Sequence, residues 1–125
     1  MNRGAEIVAR ARALIGTRFR PQGRSADGLD CIGLAAAALG VSGVANDYPL
    51  RSGSRRRLEA GLRAAGLQSA ENVEAGDLLL LAAGAGQLHL AVFTGAGIVH
   101  ADAGLRRIVE RPGPVSWPLL SAWRA

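Results

Sequence analysis

The sequence predicts an α+β fold, with helices in the N-terminal half packed on an antiparallel sheet built by the C-terminal half. Three observations predict it. Apolar residues recur at helical spacing up to residue 65. From residue 76 onward short apolar runs separated by glycine-rich turns take over. The only cysteine, Cys31, stands at the start of the second helical segment. At 125 residues the chain is expected to form one domain, residues 1–125, around one core.

Each element has its own local reason. In residues 5–15, Ile7, Val8, Ala11, Leu14 and Ile15 make one helical stripe, and Gly16 can end it. Residues 17–30, "TRFRPQGRSADGLD", are polar, broken by Pro21, Gly23 and Gly28, and read as a surface loop. Residues 31–39 resume a helix, with Asp30 as N-cap and Gly40 as the residue that ends it. Ala35 to Ala38 make this helix thin, so neighbours can approach closely. "VSGVANDYPLRSGS" reads as another loop. Residues 55–65 form a short helix with Leu58, Leu62 and Ala65 on one face, a serine before it and Gly66 after it. "GDLLLLA", "LHLAVFT", "GIVHA" and "RRIVER" read as strands. The tail, with Pro112, Pro114 and Pro118 before "LLSAWRA", is either a last strand or an irregular cover.

Composition narrows the partners. The net charge is +5, and all fifteen basic residues are arginine, the usage expected of a GC-rich genome. Such a surface favours acidic partners, either nucleic acid or an anionic polymer such as a bacterial cell wall. Arg55-Arg56-Arg57 could form a phosphate patch, although a solvated helix face explains the run more simply. Aromatic residues are only 4% of the chain, which argues against a base-stacking platform and hence against nucleic acid. One cysteine cannot form an internal disulfide. "MNRGAEIVARARALIG" lacks the apolar stretch of a signal peptide, and no run reaches the roughly 18–20 apolar residues that span a membrane. The expectation is synthesis in the cytoplasm without a membrane partner, and export, if any, by another carrier.

Cys31 is the candidate for chemistry. A free cysteine is usually core packing. With Asp30 as cap, however, it lies in the first helical turn, where free amides and the helix dipole favour the thiolate. A nearby histidine would hold that thiolate as an ion pair. The two histidines, His89 and His100, flank "TGAG". A hairpin with an even loop pairs Phe93 with Ile98 and places His100 opposite Ala91, on the same face as His89. Such diagonal neighbours lie about 7–8 Å apart, within reach of each other's rings. His89 would then exchange a proton with Cys31, while His100 accepts a hydrogen bond from the other ring nitrogen of His89 and fixes its orientation. Two structural histidines remain an open alternative. A metal site is weak, because three ligands without close spacing do not make a recognisable motif.

"ARALIGTRFRPQGRSADGLDCIGL" resembles the first half of NlpC-type peptidases, with its helix, Gly-Thr turn and Asp-Cys-x-Gly-Leu. "VEAGDLLLLAAGAGQLHLAVFTGAGIVHA" resembles their second half, with a Gly-Asp-Leu strand start, His-x-x-x-aromatic, a glycine turn and a strand ending in His-Ala. Order and spacing agree from about residue 5 to residue 110. The resemblance implies a papain-like fold, with Cys31 as nucleophile, His89 as base and His100 as third member, and no metal or organic cofactor. It implies hydrolysis of amide bonds in peptidoglycan stem peptides, of the D-glutamyl–diamino acid type. "VHADAGLRRIVER", the small size and the missing export signal are most similar to the branch from phage tails and gene transfer agents. That branch implies phage-like tail proteins as partners and action in the periplasm as part of a particle. Phe19 stands where many relatives have a tyrosine near the thiol, and Ile32 where a serine is usual. Asp30, which contacts the substrate amine in some relatives, could equally be only a helix cap. The Cys31 backbone N–H is expected to face the oxyanion. The loops at 17–30 and 43–54 are expected to wall the cleft, and Arg18, Arg20 or Arg24 to meet substrate carboxylates. The competing readings are a tail-tip protein with a vestigial site, an acyltransferase or thioesterase on the same fold, and a basic nucleic-acid binder.

Overall fold

A computed structural model describes residues 2–25, 27–41, 54–84 and 86–125. The first helix, α1 (Arg3–Ala13), is capped by Asn2, whose side chain accepts the Ala5 N–H at 2.7 Å. It buries Ile7, Val8 and Ala11. The helix stops two residues earlier than the stripe suggested, because the chain leaves to meet a distant strand: the Gly16 N–H donates to the Ile108 carbonyl at 2.9 Å, and Ile15 is left exposed.

The predicted loop at 17–30 is built rather than open. It contains two short antiparallel strands, β1 (Arg24–Ser25) and β2 (Gly28–Leu29). Phe19 bridges Leu29, and Arg18 bridges Arg107. The polar composition read as solvent-facing loop, yet these backbone groups find partners in the chain and bury Leu29 at the same time.

Helix α2 (Cys31–Leu39) follows directly. All its residues but Ala37 are buried, because it lies between α1 and the sheet. Gly40 ends it at φ 75°, a left-handed position that favours glycine. Two arginines of α1 bind the carbonyls at its C-terminal end: Arg10 Nε donates to Ala38 O at 2.9 Å and Arg3 Nη2 to Leu39 O at 3.2 Å. Cations there suit the negative end of the helix dipole. Helix α3 (Arg55–Ala64) is capped by Ser54 and buries Leu58 and Leu62, with Arg55, Arg56 and Arg57 exposed. The loop expected at 43–54 as a cleft wall lies, apart from Ser54, outside the described residues.

Six further strands form one antiparallel sheet. They are β3 (Gln68–Ala70), β4 (Leu78–Gly84), β5 (Gln87–Phe93), β6 (Gly97–Asp102), β7 (Arg107–Pro112) and β8 (Leu119–Arg124), in the order β3-β8-β4-β5-β6-β7. The tail is therefore a strand, inserted between β3 and β4. Both faces of the sheet are covered, which explains why β4 reads as a continuous run of leucines instead of alternating. Leu78 and Leu80 face the helices with Leu90, Val92, Val99 and Trp123. Leu79 and Leu81 face the other way, with Ala91, Ile98 and Ala122 under Val115 and Trp117. Each of the four leucines is at most 2% exposed, and complete burial of such a side chain contributes about 1.5–3 kcal/mol.

Candidate active site

Cys31 is the first residue of α2 and is 2% exposed. Asp30 positions it. One carboxylate oxygen accepts the Gly33 N–H at 2.8 Å and caps the helix, while the other accepts the Gln22 N–H at 2.9 Å and ties the 20–23 turn to the same point. Gly33 makes that approach possible, since a Cβ there would collide with the carbonyl oxygen of Gly23. The glycine two residues after the cysteine is thus a packing requirement of the site. The cap reading of Asp30 has both oxygens engaged in structure.

The histidines come from β5 and β6. The hairpin closes at Thr94 and Gly97 and pairs Phe93 with Ile98 and Val92 with Val99, the even-loop register. The ladder ends at Val92–Val99, so the expected Ala91–His100 pair is not formed as a ladder pair. Beyond that point the two rings meet. His89 Nε2 and His100 Nδ1 are 3.0 Å apart, with ring centroids at 5.1 Å and planes at 84°. With Nε2 engaged by His100, the nitrogen of His89 left for proton exchange is Nδ1.

Cys31, His89 and His100 line one cavity of about 520 Å³, together with Phe19, Asp30, Leu88, Asp102 and Trp117. Phe19 is in the wall. Arg18 and Arg20 are exposed and do not line the cavity. Arg24 contributes backbone to β1, and the expectation for its side chain lies outside what the structure describes. Trp117 went unnoticed in the sequence. Its ring stands edge-on to both histidines, at centroid distances of 5.2 and 5.5 Å, and Arg111 stacks over it at 5.6 Å. Only its aromatic character in a proline-rich tail could have signalled it. Among the described residues, no group of three or more His, Cys, Asp and Glu side chains could hold a metal ion, and no helix is long and apolar enough to cross a membrane.

Burial sets the protonation of the pair. It pushes the His89 imidazole down to about 4, helped by His100 and opposed by the Asp102 carboxylate. Burial also pushes His100 down; Asp102 again opposes, and Arg111 reinforces the fall. Both rings are therefore neutral at pH 7 when the thiol is protonated. A neutral imidazole lining the same cavity as a thiol is in the state to accept its proton, so the arrangement is compatible with a nucleophile, a base and an orienting group.

Helices feeding a cysteine onto an antiparallel sheet that carries a histidine pair define an α+β, papain-like architecture. Neither a protein-family model nor a curated protein matches the sequence. Solved structures do match, and they are NlpC/p60 domain proteins. NlpC1 from Trichomonas vaginalis superposes with a TM-score of 0.72 at 16% identity, over 99% of this chain and 45% of that one, so this chain spans less than half of that protein. The NlpC/p60 domain of the peptidoglycan hydrolase SagA gives a TM-score of 0.62 at 28% identity over 90% of each chain. RipD from Mycobacterium tuberculosis, described as a non-catalytic NlpC/p60 domain protein adapted to peptidoglycan binding, gives 0.61 at 15% identity over 98% and 96%. The fold of this chain is that of NlpC/p60 domains, a fold that serves hydrolysis in one neighbour and binding in another.

Proposed function

We propose that this protein is a cysteine peptidase that hydrolyses amide bonds in peptidoglycan stem peptides. The observation that carries the reading is the 3.0 Å contact between His89 and His100 in the cavity that Cys31 enters from the start of α2. Supporting it are the SagA neighbour, a peptidoglycan hydrolase, and a net charge of +5 suited to an anionic polymer.

In this reaction Cys31 gives its proton to His89 Nδ1, and the thiolate attacks the scissile carbonyl carbon. The oxyanion that forms is met by the Cys31 backbone N–H at the positive end of α2. The protonated His89 donates to the leaving amine, the C–N bond breaks, and a thioester remains on Cys31. Neutral His89 then takes a proton from water, whose oxygen attacks the thioester and releases the carboxylic acid and the thiol. Throughout, His100 accepts from the Nε2–H of His89 and keeps the ring aimed.

The finer reading places the cut between D-glutamate and a diamino acid, with the protein delivered to the periplasm by a phage-like tail. It rests on the resemblance of "VHADAGLRRIVER" to that branch. The test is incubation with purified Gram-negative peptidoglycan and mass spectrometry of the soluble products. Wild type releases peptide fragments whose new termini identify the bond cut, while Cys31→Ala and His89→Ala release none, a loss of at least about a thousandfold. Equal release by all three proteins refutes the reading. Binding without release by wild type would place the protein with RipD instead.

A further inference from the structure

His100 has two ring nitrogens and only one is engaged. Its Nδ1 meets His89, whereas Nε2 is buried with no hydrogen-bond partner among the described residues, in a side chain that is 1% exposed. The proposed chemistry assigns which nitrogen carries the proton. His89 needs Nδ1 free to accept from Cys31, so its Nε2 carries a hydrogen and His100 Nδ1 accepts it. A neutral His100 must then hold its own proton on Nε2, the nitrogen without a partner. An unpaired buried N–H is costly, and such a cost persists where function retains it.

The group facing that nitrogen is Asp102. It lies two residues along β6, on the same face as His100, and it lines the same cavity. Its Oδ2 is 3.9 Å from His100 Nε2, too long for a hydrogen bond but close enough for the carboxylate charge to act on that N–H. The carboxylate is held from behind: Oδ1 accepts the Leu105 N–H at 2.9 Å in the turn that follows β6. That bond, more than any other influence, keeps the Asp102 carboxyl below the usual carboxylate range, so it is ionised at neutral pH. The other groups around His100 are His89 on β5, the neutral ring of Trp117, and Arg111 on β7, which disfavours a charged imidazole. Arg107 is the partner of Asp102 in the β6–β7 register.

We propose that Asp102 is a positioning residue of this site, which fixes the Nε2–H form of His100 and through it stabilises the His89 imidazolium formed when Cys31 loses its proton. The proposal rests on the peptidase reading, which keeps His89 Nδ1 free for Cys31, while the tautomer of His100 is itself read directly by NMR. As His89 becomes positive, its hydrogen bond to His100 strengthens, and negative charge behind His100 supports that polarisation. Removing the charge disfavours the thiolate–imidazolium pair.

Asp102→Asn separates this role from the structural one, because an asparagine oxygen still accepts the Leu105 N–H while the charge is gone. Asp102→Ala removes both. Two readouts are taken on the same preparations. In 15N NMR of the histidine rings, wild type shows His100 protonated at Nε2, and in Asp102→Asn both rings hold their extra proton less well. In peptidoglycan hydrolysis, Asp102→Asn lowers kcat about tenfold with little change in KM, and the alkaline limb of the pH profile moves to lower pH. A wild-type His100 protonated at Nδ1 overturns the proposal. So does an Asp102→Asn enzyme with an unchanged pH profile, even with lower kcat, since a purely structural loss would not move that limb. If wild type releases no peptide, the peptidase reading fails, and the NMR result still decides the role of Asp102.

Discussion

Asp77, just before β4, and His100, in β6, are both 1% exposed, yet the structure treats them differently. The Asp77 carboxylate accepts three hydrogen bonds, from the Glu74 N–H at 2.8 Å and from Arg124 Nε and Nη2 at 2.9 and 2.8 Å. His100 has one hydrogen-bonded side-chain contact and a buried nitrogen with no hydrogen-bond partner among the described residues. A buried charge satisfied on every side locks two strands together. A buried polar group left incomplete marks a place where the fold accepts a cost. The first region serves stability, and the second is where the proposed chemistry would take place.

The two regions are separated most sharply by removing each group. Asp77→Ala strands the Glu74 N–H and frees Arg124, which is 42% exposed and can turn to water. We expect a loss of about 3 kcal/mol in urea unfolding, at the low end for a broken buried pair, with unchanged turnover per folded molecule. His100→Leu should do the reverse. It removes an unsatisfied nitrogen, and the His89 Nε2–H that it strands belongs to a half-buried ring that can turn to water, so stability should hold within about 1 kcal/mol, while peptidoglycan hydrolysis falls about thirtyfold as His89 loses its orientation. An unstable His100→Leu protein, or an inactive but stable Asp77→Ala protein, would break the contrast.

Acid provides the smallest effect. His89 is held at about 4 in the folded protein, against about 6.5 when unfolded. Between those values the unfolded chain binds a proton that the folded one does not. Stability therefore falls as pH drops from about 6.5 to about 4, and this contribution is flat below. For a ring that water partly reaches, about 1–2 kcal/mol is expected, read as a slope in urea midpoints. His89→Gln should lose that slope, whereas the carboxylates held below their usual range, Glu59 by Ser121 and Arg55 and Glu110 by Arg12 and Thr94, lose their contribution only at lower pH.

What the sequence disclosed followed from how local each feature is. The cap at Asp30 and the end at Gly40 involve residues within a few positions, so residue type alone placed α2. The β5–β6 register followed from a tight even turn and the period of two. Asp77 stood in the Gly-Asp-Leu strand start, but its pairing gave no signal, because its partner Arg124 arrives only when β8 inserts between β3 and β4. Trp117 was hidden for the same reason, being carried onto the histidines by the segment leading into β8. Asp102 stood two residues from His100 in plain sight. What made it notable was the buried nitrogen facing it, which no pattern of residue types reveals.

The central claim is that Cys31, His89 and His100 form one reactive unit. The most direct measurement is the rate of Cys31 alkylation by iodoacetamide as a function of pH, in wild type and in His89→Gln. The account predicts fast alkylation at pH 7 in wild type, with a midpoint well below the roughly 8.5 of a free thiol, and a slow reaction at pH 7 in the variant. A wild-type thiol that is inert at pH 7, or that reacts no faster than the variant, would contradict it.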